Sequence, residues 1–304
     1  MFPLRLPTIP PGSTTPPPTL KNAARGARKD YHRSVPELPE AEVCARGLAR
    51  LITGYQIDAA RCTQPGRIVR PSGDAAAWAD GLSGRVVTGV GRRGKHLVLQ
   101  LDDDRTLVFG FGLRADVTVS DVEPDELHGA VLWLTGGPDG SVRRALVFNS
   151  LALSTLALET WTAAPQAPPY DALDRRADGA VLAALARGRA GLKAFLMDER
   201  YLLGIGNGYS DEILWEARLH PRQPAGSLAP EEWARLAQSM HRVLDAAISA
   251  GGEAGFVDPF GAPGRYERRI HRHGGDLCPR CEQPLAALFS GSRETDYCPA
   301  CQAL

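Results

Sequence analysis

Apolar positions along this chain follow two rhythms. Short apolar runs at 85–90, 96–101, 106–111, 117–119, 130–134 and 145–148 are parted by Gly, Pro and Asp clusters. Strands at such close spacing predict a β-sandwich or barrel. Ahead of them, 39–52 has a helical rhythm. Val43, Leu48, Leu51 and Ile52 form one stripe, Pro39 suits the first turn and Gly54 suits the stop. Beyond residue 178 the pattern is helical again, at 181–187, 192–199, 209–217 and 230–250. The last of these carries Trp233, Leu236, Met240, Val243, Leu244, Ala247 and Ile248 at helical spacing, which reads as core. Residues 161–178, with Pro165, Pro168 and Pro169 among several charges, read as a linker.

Residues 1–34 have no rhythm. They hold seven prolines and few large apolar residues, so they cannot bury enough surface to offset their ordering entropy. They also lack the continuous apolar core of a secretory signal. The expected organisation is a disordered or untranslated extension (1–34), a β-rich domain (35–160), the linker (161–178), a helical domain (179–264) and a cysteine-bearing C-terminal segment (265–304).

Composition changes this picture in two places. The chain has 304 residues, 43% of them hydrophobic, which suits about two soluble domains. No run approaches the roughly 18–20 apolar residues of a membrane span. Lys+Arg and Asp+Glu stand at 35 each, but the balance is uneven. The extension alone has a net charge of +5, leaving 29 basic and 34 acidic residues from Val35 onward. Only four lysines occur, Lys21, Lys29, Lys95 and Lys193, in a chain whose other basic residues are all arginine.

Local spacing then suggests chemistry. Cys278-x2-Cys281 and Cys298-x2-Cys301 provide four thiolates able to surround one structural, tetrahedral Zn²⁺, with disulfides as the other reading. Cys44 and Cys62 read as plain buried thiols. Gly204-Ile205-Gly206-Asn207 opens a helix, which suits either a phosphate held by backbone N–H groups or a tight inter-helix turn. Gly91-Arg92-Arg93-Gly94-Lys95 is a basic turn between two strands. Arg265, Arg268, Arg269, His271, Arg272 and His273 form a second basic stretch. Positive charge is thus localised in a chain that is neutral overall.

The first helix opens Val35-Pro36-Glu37-Leu38-Pro39-Glu40-Ala41-Glu42. This resembles the start of the formamidopyrimidine-DNA glycosylase / endonuclease VIII family. The resemblance continues in order through 91–101, 192–198, 204–215, 219–221 and the four cysteines. It implies an α+β fold: an N-terminal two-layered β-sandwich with flanking helices, a helix–two-turns–helix domain and a zinc-finger β-hairpin. It implies a base-excision repair glycosylase with AP lyase activity, acting on damaged double-stranded DNA. The enzyme would be a monomer in the bacterial cytoplasm, associated with the nucleoid. By the resemblance Pro36 is the nucleophile, Glu37 the general acid and Glu40 an aid to proton traffic, while Lys95, Asn207, Arg293 and Lys193 contact DNA.

Two departures stand out. As written, the Pro36 nitrogen is a tertiary amide with no usable lone pair. Residues 1–34 are therefore expected to be untranslated, with a start codon at Val35 and methionine removal freeing Pro36. The residues expected to fill the gap left by a flipped base are also altered. Phe111 lies near the expected methionine, and Leu151 and Leu153 stand where an Arg-x-Phe pair is expected. These three are the wedge candidates. The segment from 251 to 278 looks short for a loop capping an oxidised purine, so purine and pyrimidine lesions both stay open. A member that binds abasic or distorted DNA without catalysis is the alternative.

Overall fold

A computed structural model describes residues 35–63, 69–70, 74–112, 115–122, 129–136, 142–149, 154–160, 169–186 and 189–304. They form two compact units. One holds the described residues up to 160 together with Ala254–Arg265. The other holds the described residues from 169 to Glu253 together with Tyr266–Leu304.

The first unit opens with α1 (Leu38–Ile52). β1 (Gln56–Cys62), β2 (Val69–Arg70), α2 (Ala75–Leu82) and β3 (Val87–Arg93) follow. β4 (His96–Leu101), β5 (Arg105–Gly110), β6 (Asp116–Ser120), β7 (Gly129–Gly136), β8 (Val142–Asn149) and β9 (Thr155–Thr160) complete it. One sheet has the order β1-β7-β8-β6, and the other β2-β9-β5-β4-β3. Alternation aims Leu97, Leu99 and Leu101 of β4 inward from one sheet, and Leu146 and Phe148 of β8 from the other. They meet Leu48, Leu51 and Ile52 of α1 in one core, so the unit is a two-layered sandwich with flanking helices. Each such side chain contributes about 1.5–3 kcal/mol of burial. β1 escapes a reading of the sequence because only Ile57 of its seven residues is buried.

The second unit contains β10 (Tyr170–Asp171), α3 (Gly179–Leu185), α4 (Leu192–Leu196), β11 (Leu202–Leu203), α5 (Asn207–Ala217) and α6 (Pro230–Ser249). It ends in the hairpin of β12 (Ala286–Ser290) and β13 (Arg293–Tyr297). α3 and α5 both pack on α6. A Cβ on Gly179 would lie 2.6 Å from the Ala234 backbone nitrogen, so glycine lets α3 approach α6 closely.

Two expected boundaries shift. From 169 onward the expected linker is folded: β10 pairs in parallel with β11, and Ala172 and Ala177 are buried. A two-residue strand leaves no periodicity to read. Ala254–Arg265 belongs to the first unit, where Pro259 and Phe260 pack against Gly47 of α1; residues 254–264 were expected in the helical domain and Arg265 in the C-terminal segment.

Candidate functional site

In the first unit the candidates gather at the head of α1. Pro36 is buried just ahead of the helix and Glu37 is its N-cap residue. The Glu37 N–H donates to Glu40 Oε2 at 3.0 Å, which satisfies one of the orphan donors of a helix start. Glu37 is 6% exposed and Glu40 1%. One turn on, Glu42 accepts from Arg92 Nε at 2.5 Å, tying α1 to β3. Arg92 Nη1 also donates to Gly94 O at 3.1 Å. Arg93 and His96 form the last pair of the β3–β4 hairpin, so Gly94 and Lys95 are its two-residue turn. Such turns need a positive φ, and Gly94 provides +58°. Lys95 is half-buried at this tip.

Beneath this site lies Cys44, fully buried as expected; Cys62 is only half-buried. Burial, with Asp116, Asp258 and Glu40 nearby, pushes the Cys44 thiol well above its ordinary range. The thiol is therefore inert at neutral pH.

The wedge candidate Phe111 is among the described residues. It is half-buried, packs against the core and sets its ring edge-on to Phe109 at 5.0 Å. The neighbouring Gly112 N–H donates to Ser154 Oγ at 2.9 Å. Leu151 and Leu153 lie outside the described residues.

In the second unit Asn207 begins α5. Its Nδ2 donates to Glu294 O at 3.2 Å, which sets it beside Arg293. Arg293 is exposed at the start of β13, after the Gly291-Ser292 turn. The expectation for Lys193 fails. The residue is 1% exposed, and its ammonium donates to Asp211 Oδ1 at 2.6 Å, Asn207 O at 3.3 Å and Glu294 O at 3.4 Å. A cation so enclosed cannot reach a phosphate.

The basic stretch is divided in the same way. Arg268 pairs with Glu253 at 2.7 Å and lies over the Tyr209 ring. A Cβ on Gly208 would meet the Arg268 guanidinium, so glycine here lets that side chain lie close to α5. His271 is buried with its Nδ1 2.7 Å from Asp211 Oδ2. Arg265, Arg269 and Arg272 remain exposed. Glu212, 1% exposed, accepts the backbone N–H groups of Arg269, Ile270 and His271 at 3.0–3.1 Å. Neither Asp211 nor Glu212 was marked by the sequence, because the His271 partner they share lies about 60 residues away. Burial pushes the Asp211 carboxyl up to about 6, against the opposing pull of Lys193.

The four cysteines come together as their spacing predicts. Their sulfurs lie within 4.8 Å of one another, with Cys281 and Cys298 at 3.4 Å and Cys278 and Cys301 at 4.0 Å. None forms a disulfide. A Zn–S bond of about 2.3 Å implies tetrahedral S···S edges of roughly 3.8 Å, so the cluster fits a metal ion of that size. Burial opposes ionisation of Cys278, but the Trp215 indole N–H and nearby backbone donors draw its thiol down to about 6. Burial and the neighbouring sulfurs push Cys301 up to about 12. Four sulfurs at this spacing suit a cation, whose binding would displace the thiol protons.

The formamidopyrimidine-DNA glycosylase N-terminal domain model matches residues 35–147, and the H2TH domain model of the same enzymes matches 169–257. The formamidopyrimidine-DNA glycosylase of Acidothermus cellulolyticus is 33% identical over 277 residues, covering 88% of this chain and 97% of that protein. The chain belongs to the formamidopyrimidine-DNA glycosylase family. Another relative of this family, from Moorella thermoacetica, is 36% identical and covers 83% of the chain and 93% of its own length. Among solved structures, the MutM (Fpg) protein of Thermus thermophilus superposes with a TM-score of 0.74 at 29% identity, over 88% of this chain and 98% of that one. The Lactococcus lactis Fpg in complex with abasic-site DNA shares the fold at a TM-score of 0.77 and 23% identity, over 88% and 100% of the two chains. The glycosylase fold of the family therefore accounts for both units described above. Among the described residues no helix is long and apolar enough to cross a membrane.

Proposed function

We propose that this protein is a bifunctional DNA glycosylase and AP lyase that removes oxidised bases from double-stranded DNA. The Pro36 nitrogen, as a free secondary amine, attacks C1′ of the damaged nucleotide. The bond from C1′ to the base breaks and the base departs. Glu37 protonates the sugar ring oxygen, which opens the ring and leaves an iminium between Pro36 and C1′. The iminium acidifies C2′, whose proton is lost as the 3′ phosphate leaves. A second elimination expels the 5′ phosphate, and water then releases Pro36. Glu40, bonded to the Glu37 N–H, orients the acid and aids proton traffic. Lys95 contacts phosphate from the first unit, and Asn207 and Arg293 do so from the second. The second Nδ2 proton of Asn207 is available for this. Zinc bound by Cys278, Cys281, Cys298 and Cys301 holds the hairpin that carries Arg293. We take the enzyme to act as a monomer at the bacterial nucleoid, in the cytoplasm.

The observation that carries this reading is the placement of Pro36 and Glu37 at the head of α1, which Glu42 and Arg92 tie to the hairpin tipped by Lys95. The chemistry requires an unacylated Pro36. Borohydride reduction on abasic-site DNA tests it directly. Protein beginning at Pro36 is expected to form a stable crosslink, and protein still carrying Val35 is not. If the Pro36-initiated form binds abasic DNA yet leaves no crosslink, the catalytic reading falls. The second reading, a non-catalytic binder of abasic or distorted DNA, then stands. The amide at Pro36 in the full 304-residue chain is the observation that favours it.

A further inference from the structure

Four ionisable side chains meet inside the second unit: Lys193 on α4, Asp211 on α5, His271 ahead of the cysteines and Asp296 on β13. All four are buried. Ligand atoms of Asp211, His271 and Asp296 lie within 4.8 Å of one another, a spacing that would admit a metal ion. The Lys193 ammonium, 2.6 Å from Asp211 Oδ1, already takes the cationic place there. The cluster is therefore an ion-pair network, and Asp211 is its hub. Asp211 Oδ1 accepts from Lys193, while Oδ2 lies 2.7 Å from His271 Nδ1 and accepts the Asp296 N–H at 3.4 Å. Lys193 also donates to two backbone carbonyls, Asn207 O and Glu294 O. The first belongs to one residue assigned to phosphate and the second adjoins the other, Arg293.

We propose that Asp211 is a positioning residue for the phosphate grip: it holds Lys193 against the carbonyls of Asn207 and Glu294, and thereby fixes the spacing between the Asn207 and Arg293 side chains. This rests on the reading of those two side chains as phosphate ligands. The physical reason is the cost of an unneutralised ammonium in a buried site. Without the Asp211 charge, the Lys193 ammonium loses its buried counter-charge, and the bridge it makes between the head of α5 and β13 is weakened. Charge-assisted bonds to phosphate depend on geometry, so a small displacement weakens both donors together.

The test compares wild type, Asp211→Asn and the double variant Lys193→Met/Asp211→Leu, which removes the ion pair at the hub. Affinity of the full zinc-loaded chain for duplex DNA bearing an uncleavable abasic-site analogue is measured across a salt series. Single-turnover strand cleavage at saturating enzyme is measured with the Pro36-initiated form. Asp211→Asn is expected to weaken binding ~10-fold or more and to lower the salt slope by about 1, since Arg293 is the one charged donor of the two. The saturated cleavage rate is expected to stay within about threefold, because the C1′ chemistry resides in the other unit. If Asp211→Asn loses zinc or unfolds, the double variant decides by the same criteria, since it removes both members of the buried Lys193–Asp211 pair. Wild-type affinity and salt slope in a folded variant would overturn the proposal. A saturated rate that falls as far as the affinity would also overturn it. Wild type that binds but does not cleave would overturn the glycosylase reading alone, because the binding arms still decide the role of Asp211.

Discussion

Glu37 and Glu40 stand three residues apart at the head of one helix, and a helix dipole would favour acids there in any protein. Geometry separates their tasks. Glu40 accepts the Glu37 N–H, and the Glu37 carboxylate belongs to the residue directly after the proposed nucleophile. Glu37→Gln leaves the backbone bond to Glu40 in place, so the fold is expected to survive. Base release from a duplex with a single lesion is expected to fall ~100-fold or more, the usual scale for losing a general acid. Borohydride trapping on a preformed abasic site is expected to fall far less, because that sugar already populates the open aldehyde. Equal losses in the two assays would remove Glu37 from the acid role. Motif and position single out Pro36, Glu37, Lys95, Asn207 and Arg293 as candidates in the sequence. They do the same for Lys193, whose lysine identity suited a phosphate ligand until burial placed it inside the unit.

At the scale of elements, two hairpins present the candidate cations by the same device. Each ends in a two-residue turn with glycine at positive φ: Gly94 at +58° before Lys95, and Gly291 at +62° before Ser292 and Arg293. A tight turn fixes the register, and the register fixes which face the cation occupies. Gly94→Val forces a β-branched residue into left-handed backbone and is expected to cost about 1–2 kcal/mol. Thermal unfolding reads that loss. DNA affinity of the still-folded variant should fall as well, because Lys95 shares the distorted turn. Unchanged affinity would argue that Lys95 does not touch phosphate. The basic turn at 91–95 was legible from composition. Its tether was not, because the Arg92–Glu42 pair joins residues 50 apart in sequence.

Across the whole molecule, the cysteine cluster holds the last part of the chain. Trp215 of α5 donates to Cys278 Sγ at 3.4 Å, and Gln302 Nε2 donates to Leu219 O at 2.9 Å, so the finger is packed onto the helical elements. Stripping zinc with a strong chelator is expected to release one metal per chain, change the emission of Trp215 and abolish DNA binding, with recovery on adding Zn²⁺. Full DNA affinity in the metal-free protein would show that the finger is dispensable.

The sequence by itself determined the fold class, the order of the motifs and which four cysteines cluster. Each of these depends on local periodicity or on fixed short spacing, which a chain carries wherever it folds. Tertiary structure decided what happened to the charges. It returned Ala254–Arg265 to the first unit, drew Arg268 and His271 inward, and made Lys193 and Asp211 a buried pair. Burial and pairing depend on partners distant in sequence, and a side chain's type does not say whether water or a carboxylate will meet it.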